Sequence, residues 1–149
     1  MKTDLVIAGY LINDNKVLLI KHKKLGLWLP VGGHIEKDET PDDAVLREFE
    51  EEVGLSVRIF GHTNVPMEGN MKRVLAVPFH VNVHSVGDHD HCCFFYICEL
   101  ARQQDILPAA RELDDFAWFS KEDLFQERVP KDVRTIALKA LEMRSELKN

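Results

Sequence analysis

Residues 33–55 read GHIEKDETPDDAVLREFEEEVGL, and they contain the start and stop signals of one helix. Thr40 suits the N-cap, where its hydroxyl accepts from a backbone N–H of the first turn. Pro41 suits the first helical position, and Asp42 and Asp43 face the positive end of the helix dipole. The run continues through Ala44 to Val53, and Gly54 ends it by accepting a left-handed backbone. At about 100° per residue, Val45, Leu46, Phe49 and Val53 form one apolar arc expected to face a sheet. Glu48, Glu51 and Glu52 lie on a strip beside that arc, at i, i+3 and i+4, while Glu50 points elsewhere. Like charges at that spacing repel, and water screens them less well beside a buried face. A solvated acidic face would carry that cost; a hard divalent cation such as Mg²⁺ or Mn²⁺ would convert it into attraction.

Upstream, residues 4–12 (DLVIAGYLI) and 16–22 (KVLLIKH) are apolar, β-branched runs separated by Asn13-Asp14-Asn15, the pattern of a β-hairpin. Residues 28–35 (WLPVGGHI) read as an extended, glycine-punctuated loop. Downstream, residues 55–60, 74–84, 92–100 and 116–119 read as strands and 121–126 as a short helix. Pro130 opens a terminal helix with Val133, Ala137, Ala140, Leu141, Arg144 and Leu147 on one stripe. Strands and helices in this order predict an α/β fold, a mixed sheet between helices, in one domain over residues 1–149.

Composition narrows the functional classes. Hydrophobic residues make up 45% and charged residues 30%, an ordinary globular balance. No apolar run approaches the roughly 20 residues that span a bilayer, and the first residues lack a signal-peptide pattern. Three cysteines, Cys92, Cys93 and Cys98, crowd one short stretch, which fits a reducing cytoplasm better than a disulfide framework. The net charge of −6, with no basic tail, argues against a broad nucleic-acid surface. An acidic chain still binds a polyphosphate when a metal ion lies between the two.

The spacing of Gly33, Glu39, Arg47, Glu48, Phe49, Glu51, Glu52, Gly54 and Leu55 resembles the Nudix box, G-x5-E-x7-R-E-U-x-E-E-x-G-U, with U a bulky apolar residue. Every defined position is filled. The preceding hairpin and Trp-Leu-Pro-Val-Gly-Gly segment, and the late Trp118-Phe119-Ser120, extend the resemblance more loosely. It implies a Nudix-type α/β/α sandwich and a Mg²⁺- or Mn²⁺-dependent hydrolase of a nucleoside diphosphate linked to another moiety, water attacking phosphorus. It also implies roles: Glu48, Glu51 and Glu52 as metal-binding and catalytic carboxylates, and the Gly32 carbonyl as a further ligand. Glu39 and Arg47 resemble a supporting ion pair, Gly33 a point of close backbone approach and Gly54 a positive-φ helix stop. A distal carboxylate completes such sites, and Glu112 is the first choice, ahead of Asp114 and Asp115.

Outside the box the reading stays open. Lys21, Lys23, Lys24, Lys72 and Arg73 are candidate phosphate contacts or plain surface cations. His80, His84, His89 and His91 stand on and around two strands, with His89, His91 and Cys93 alternating onto one face. They are candidates for a substrate pocket, for transition-metal ligation, or for a polar hairpin without special chemistry. Candidate substrates are a nucleoside triphosphate, ADP-ribose, a dinucleoside polyphosphate or a nucleotide sugar, and a homodimer is implied by family habit alone. The competing readings are a non-catalytic nucleotide sensor and a diphosphate isomerase, the latter needing a protonating group such as Cys92 or Cys93.

Overall fold

The structure, a computed structural model, describes residues 1–105 and 113–147. Strand β1 (Thr3–Asn13) turns into β2 (Lys16–His22) through Asp14 and Asn15, both in the left-handed region at φ 54° and 60°. Two successive left-handed residues are what a two-residue type I′ hairpin requires, and Asn13 itself pairs with Lys16 at the end of the ladder. The order continues with β3 (Trp28–Leu29), β4 (Val31–His34), α1 (Pro41–Val53), β5 (Val57–Ile59), β6 (His80–Ser85), β7 (Asp90–Leu100) and β8 (Leu113–Phe119). A single 3-10 turn (Asp123–Phe125) precedes α2 (Lys131–Glu146).

The sheet is mixed. Its path is β3-β2-β1-β7-β5, with β4 on β1, β6 on β7 and β8 on β2. Strands β1 and β7 are parallel, from Thr3 opposite Asp90 to Leu11 opposite Cys98, whereas the other paired strands are antiparallel. Strand β1 is covered on both faces, which is why it reads as an unbroken apolar run. Its alternation splits the core in two. Val6, Ala8, Tyr10 and Ile12 join Cys93, Phe95 and Ile97 under α2, while Ile7 and Leu11 join Tyr96 and Cys98 under Val45, Phe49 and Val53 of α1. The result is an α/β sandwich with one long helix on each face of the sheet.

Several sequence expectations are corrected here. Residues 28–35 hold two short strands, β3 and β4, because β1 and β2 offer open ladders to pair with. Residues 74–84 do not form one strand: β6 begins at His80, and before it only an isolated bridge joins Ala76 to His62. Leu46 is 39% exposed, because α1 turns Ala44, Val45, Phe49 and Val53 inward and leaves Leu46 at the border of a crevice with Val57, Ile59 and Val74. Residues 121–126 form only the 3-10 turn, and Leu147 lies past the end of α2 and is exposed. No helix among the described residues is long and apolar enough to cross a membrane.

Helix α1 begins with a full capping box. Thr40 Oγ1 accepts from Asp43 N at 3.1 Å and Asp43 Oδ2 accepts from Thr40 N at 3.3 Å. Arg73 then clasps Asp43, each of its two terminal nitrogens donating at 3.1 Å. Buried Asp42 accepts from Ala76 N at 3.1 Å, so the first turn anchors the irregular segment before β6. The Arg73 guanidinium, with help from Thr40, lowers the Asp43 carboxyl from its ordinary 3.8 to about 2. A carboxyl pKa depressed by folding stabilises the fold above the unfolded value and loses that contribution as pH falls through the folded value. Arg73→Ala is therefore expected to lower stability at neutral pH only slightly, since the pair is solvent-exposed. The gap from wild type should close between pH 3.8 and about 2, which thermal melts across that window would check.

Candidate active site

The geometry of the site starts from two glycines. In β4, Gly32 and Gly33 pair with Ala8 and Ile7 of β1 and run under α1. A Cβ at Gly33 would fall 2.6 Å from both Cδ and Oε2 of Glu48, so the Glu48 carboxylate occupies the space a side chain would take. Gly32 N donates to Glu52 Oε2 at 3.3 Å. Two carboxylates one helical turn apart thus lie against the same two residues of backbone. Glu52 is only 6% exposed, whereas the Glu51 side chain is 61% exposed and turned outward.

Arg47 ties this end of the site together. Its Nε and Nη2 donate to the two oxygens of Glu39 at 2.7 and 3.0 Å, a bidentate pair. The same guanidinium reaches Glu48 Oε1 at 2.5 Å, Glu51 Oε2 at 3.2 Å and the His34 carbonyl at 2.9 Å. The hydrogen bonds from Arg47 hold the Glu39 carboxyl below its usual range, and those to Glu39 and Glu48 push the guanidinium pKa up. Glu39 also accepts from Glu36 N at 2.9 Å, which fixes the turn between β4 and α1. Gly54 ends the helix at φ 67°, its N–H reaching the Glu50 carbonyl.

The other face of the same glycines borders a cavity of about 260 Å³ between the sheet and the first turns of α2. Its wall is mainly apolar, with Val6, Ala8, Tyr10, Phe95, Val133 and Ile136, and its polar groups are His22, His34, His84, His91 and Asp132. The Tyr10 hydroxyl is buried and finds no hydrogen-bond partner among the described residues, and burial, then the Asp132 charge, push its pKa well up, so it stays protonated. Burial also raises the Cys93 thiol to about 12, which leaves it a small apolar wall group rather than a reactive one.

The remaining sequence candidates are scattered. Lys21 lies over the Trp28 ring, 5.9 Å from its centroid, and Lys23 sits exposed in the turn after β2; His22, between them, is the residue that lines the cavity. Arg73 is engaged at the start of α1 and does not line the cavity. His80 stacks on Phe95 and lies outside the cavity lining, while His91 lines it and His89 sits behind, its ring 5.1 Å from that of His91. Glu112 lies outside the described residues. Tyr10, His22, His34 and Asp132 were not singled out from sequence. Only the alternation that puts Tyr10 on the face of Cys93 and Phe95 hinted at them, and it depends on knowing that β1 pairs with β7.

Gly33→Ala separates fold from chemistry. The colliding atoms belong to the far end of the Glu48 side chain, which can swing away, so the melting temperature should hardly move. Any turnover that depends on this carboxylate is expected to fall on the order of 10²-fold when it is displaced by about 1 Å. Steady-state kinetics beside a thermal melt would check both.

A family model described as the NUDIX domain matches residues 2–139, nearly the whole chain. The chain belongs to the Nudix family. A solved Nudix-family hydrolase from Clostridium perfringens superposes with a TM-score of 0.81 at 29% identity, covering 97% of this chain and 99% of that one. A dihydroneopterin triphosphate diphosphatase from Haemophilus influenzae is 26% identical over 117 residues, 77% of this chain and 72% of that protein. An ADP-ribose pyrophosphatase from Methanocaldococcus jannaschii is 41% identical over 56 residues, and the chain spans only 28% and 33% of the first two curated relatives it matches, this one included.

Proposed function

We propose that this Nudix chain hydrolyses a phosphoanhydride bond in a nucleoside diphosphate linked to another moiety, using Mg²⁺ or Mn²⁺. One observation carries the reading: the Gly32-Gly33 backbone is at once a wall of the mainly apolar cavity and the seat of the Glu48 and Glu52 carboxylates. A ligand with its ring system in the cavity would run its phosphates past Gly33 to those carboxylates. The cavity, about 260 Å³, suits one ring system with part of its sugar better than a whole dinucleotide. Relatives named for ADP-ribose and for dihydroneopterin triphosphate share a phosphoanhydride and differ in the group attached to it, which fits a constant phosphate site beside a variable cavity.

The donor set fits a hard divalent ion: carboxylate oxygens of Glu48 and Glu52, with Glu51 on the same helix edge, and with Gly32, whose carbonyl the family resemblance offers as a further ligand, bonded through its N–H to Glu52. When bound, such an ion supplies charge neutralisation on the phosphate oxygens and acidifies the attacking water. The chain's own groups supply position. Arg47 fixes Glu48 and the β4–α1 turn, and the buried setting of Glu52 keeps its carboxylate in one orientation. In the cavity, Asp132 offers an acceptor to a ring N–H.

The test is product release from a panel comprising nucleoside triphosphates, ADP-ribose, dinucleoside polyphosphates and nucleotide sugars, with Mg²⁺ and with Mn²⁺. Turnover of at least one that stops on chelation supports the reading. Tight nucleotide binding with no turnover on any would replace it with the non-catalytic sensor.

A further inference from the structure

Beyond the glutamates, sheet register assembles a second cluster of donors. Asp4 and Val6 share a face of β1; Val6 pairs His34 of β4, Asp4 pairs His91 of β7, and His91 pairs His84 of β6. His34 Nε2 lies 3.2 Å from Asp4 Oδ2, and His89 Nε2, from the β6–β7 turn, lies 3.3 Å from the same oxygen. Ligand atoms of Asp4, His34 and His91 all fall within 4.8 Å of one another. The His91 ring stands 5.4 Å from that of His34, 5.7 Å from His84 and 5.1 Å from His89.

The setting of His89 matches that of a supported metal ligand. Its Nδ1 lies 2.7 Å from Asp88 Oδ1, while its Nε2 faces Asp4 Oδ2 at 3.3 Å. A carboxylate holding the far nitrogen of a ligating histidine is the usual support of such sites.

We propose that Asp4, His34 and His91 bind an imidazole-preferring divalent transition ion, with Zn²⁺ the reference case, and that His89, held by Asp88, is the fourth donor. A tetrahedral zinc site with bonds of about 2.0–2.1 Å sets its ligand atoms roughly 3.3 Å apart. The contacts of His34 and His89 with Asp4 already have that spacing, and the His91 donor lies within 4.8 Å of those of Asp4 and His34. Imidazole donors select a different ion from the all-oxygen set of Glu48 and Glu52. His34 follows Gly33 directly and lines the cavity with His91, so the ion would put fixed positive charge at the cavity mouth.

The test is Co²⁺ and Zn²⁺ binding to the full chain after metal removal, read by visible absorption and titration calorimetry. With excess Mg²⁺ present to occupy the Glu48 and Glu52 oxygens, wild type is expected to take up one equivalent of Co²⁺ with tetrahedral d–d bands and no thiolate charge-transfer band, and Zn²⁺ should displace it. Asp4→Asn and His91→Gln should weaken binding more than about tenfold. His34→Gln should do the same, and its largely exposed ring makes that variant safe for the fold. Glu48→Gln and Glu52→Gln should bind Co²⁺ as wild type does. No Co²⁺ uptake by wild type, a thiolate band, or uptake lost in the glutamate variants yet kept in His34→Gln and His91→Gln would each overturn the proposal.

Discussion

Glu48→Gln and Glu52→Gln are expected to lower kcat by about 10²- to 10⁴-fold at saturating Mg²⁺, with little change in KM. Glutamine keeps the size of each side chain and an oxygen for the Gly32 N–H, so packing against β4 survives and the missing feature is charge. Glu51→Gln should cost much less. Its side chain is mostly exposed and bound to Arg47, away from the glycine backbone that Glu48 and Glu52 touch. Steady-state kinetics of the three variants, with circular dichroism to show unchanged folds, would check the ranking. Equal losses in all three would mean that Glu51 swings into the site during turnover.

Arg47→Ala is expected to be the most damaging change outside the carboxylates, costing about 3 kcal/mol of stability. One guanidinium holds Glu39, Glu48, Glu51 and the His34 carbonyl, and its removal leaves several acceptors crowded together without a counter-charge. Arg47→Lys should recover only a minor part, because a point charge cannot grip Glu39 through two parallel hydrogen bonds. The pH dependence has a definite sign. Arg47 holds the Glu39 carboxyl below its ordinary 4.5, so the pairing contributes fully above that value and is lost as pH falls below it. Urea denaturation at neutral and acid pH should show the Arg47→Ala deficit shrinking on the acid side.

These effects trace to features of unequal legibility in the sequence. Helix α1 was readable to the residue at both ends, because caps, proline and terminal glycine are local chemistry. The helical wheel found the strip of three glutamates but could not tell that Glu52 is buried and Glu51 exposed, since that depends on where β4 lies. It misjudged Leu46 for the same reason: an apolar arc gives a direction, and the neighbour decides how far around it burial extends. The parallel β1–β7 pairing joins segments far apart in the chain and left no local signal, so the cavity and its Tyr10, His34 and Asp132 stayed hidden. The histidine-rich hairpin was visible as composition. Its partners Asp4 and His34 were not, because only the register of three strands brings them to His91.

The central claim is that water attacks a phosphorus of a phosphoanhydride at the Gly33–Glu48–Glu52 edge. The most direct measurement is turnover in ¹⁸O-labelled water with Mg²⁺, wild type beside Glu52→Gln, and mass analysis of both products. Wild type should place one ¹⁸O in a single phosphate-containing product, and the variant should yield almost none. Cleavage without label on phosphorus, or labelled product formed equally by Glu52→Gln, would contradict the assignment.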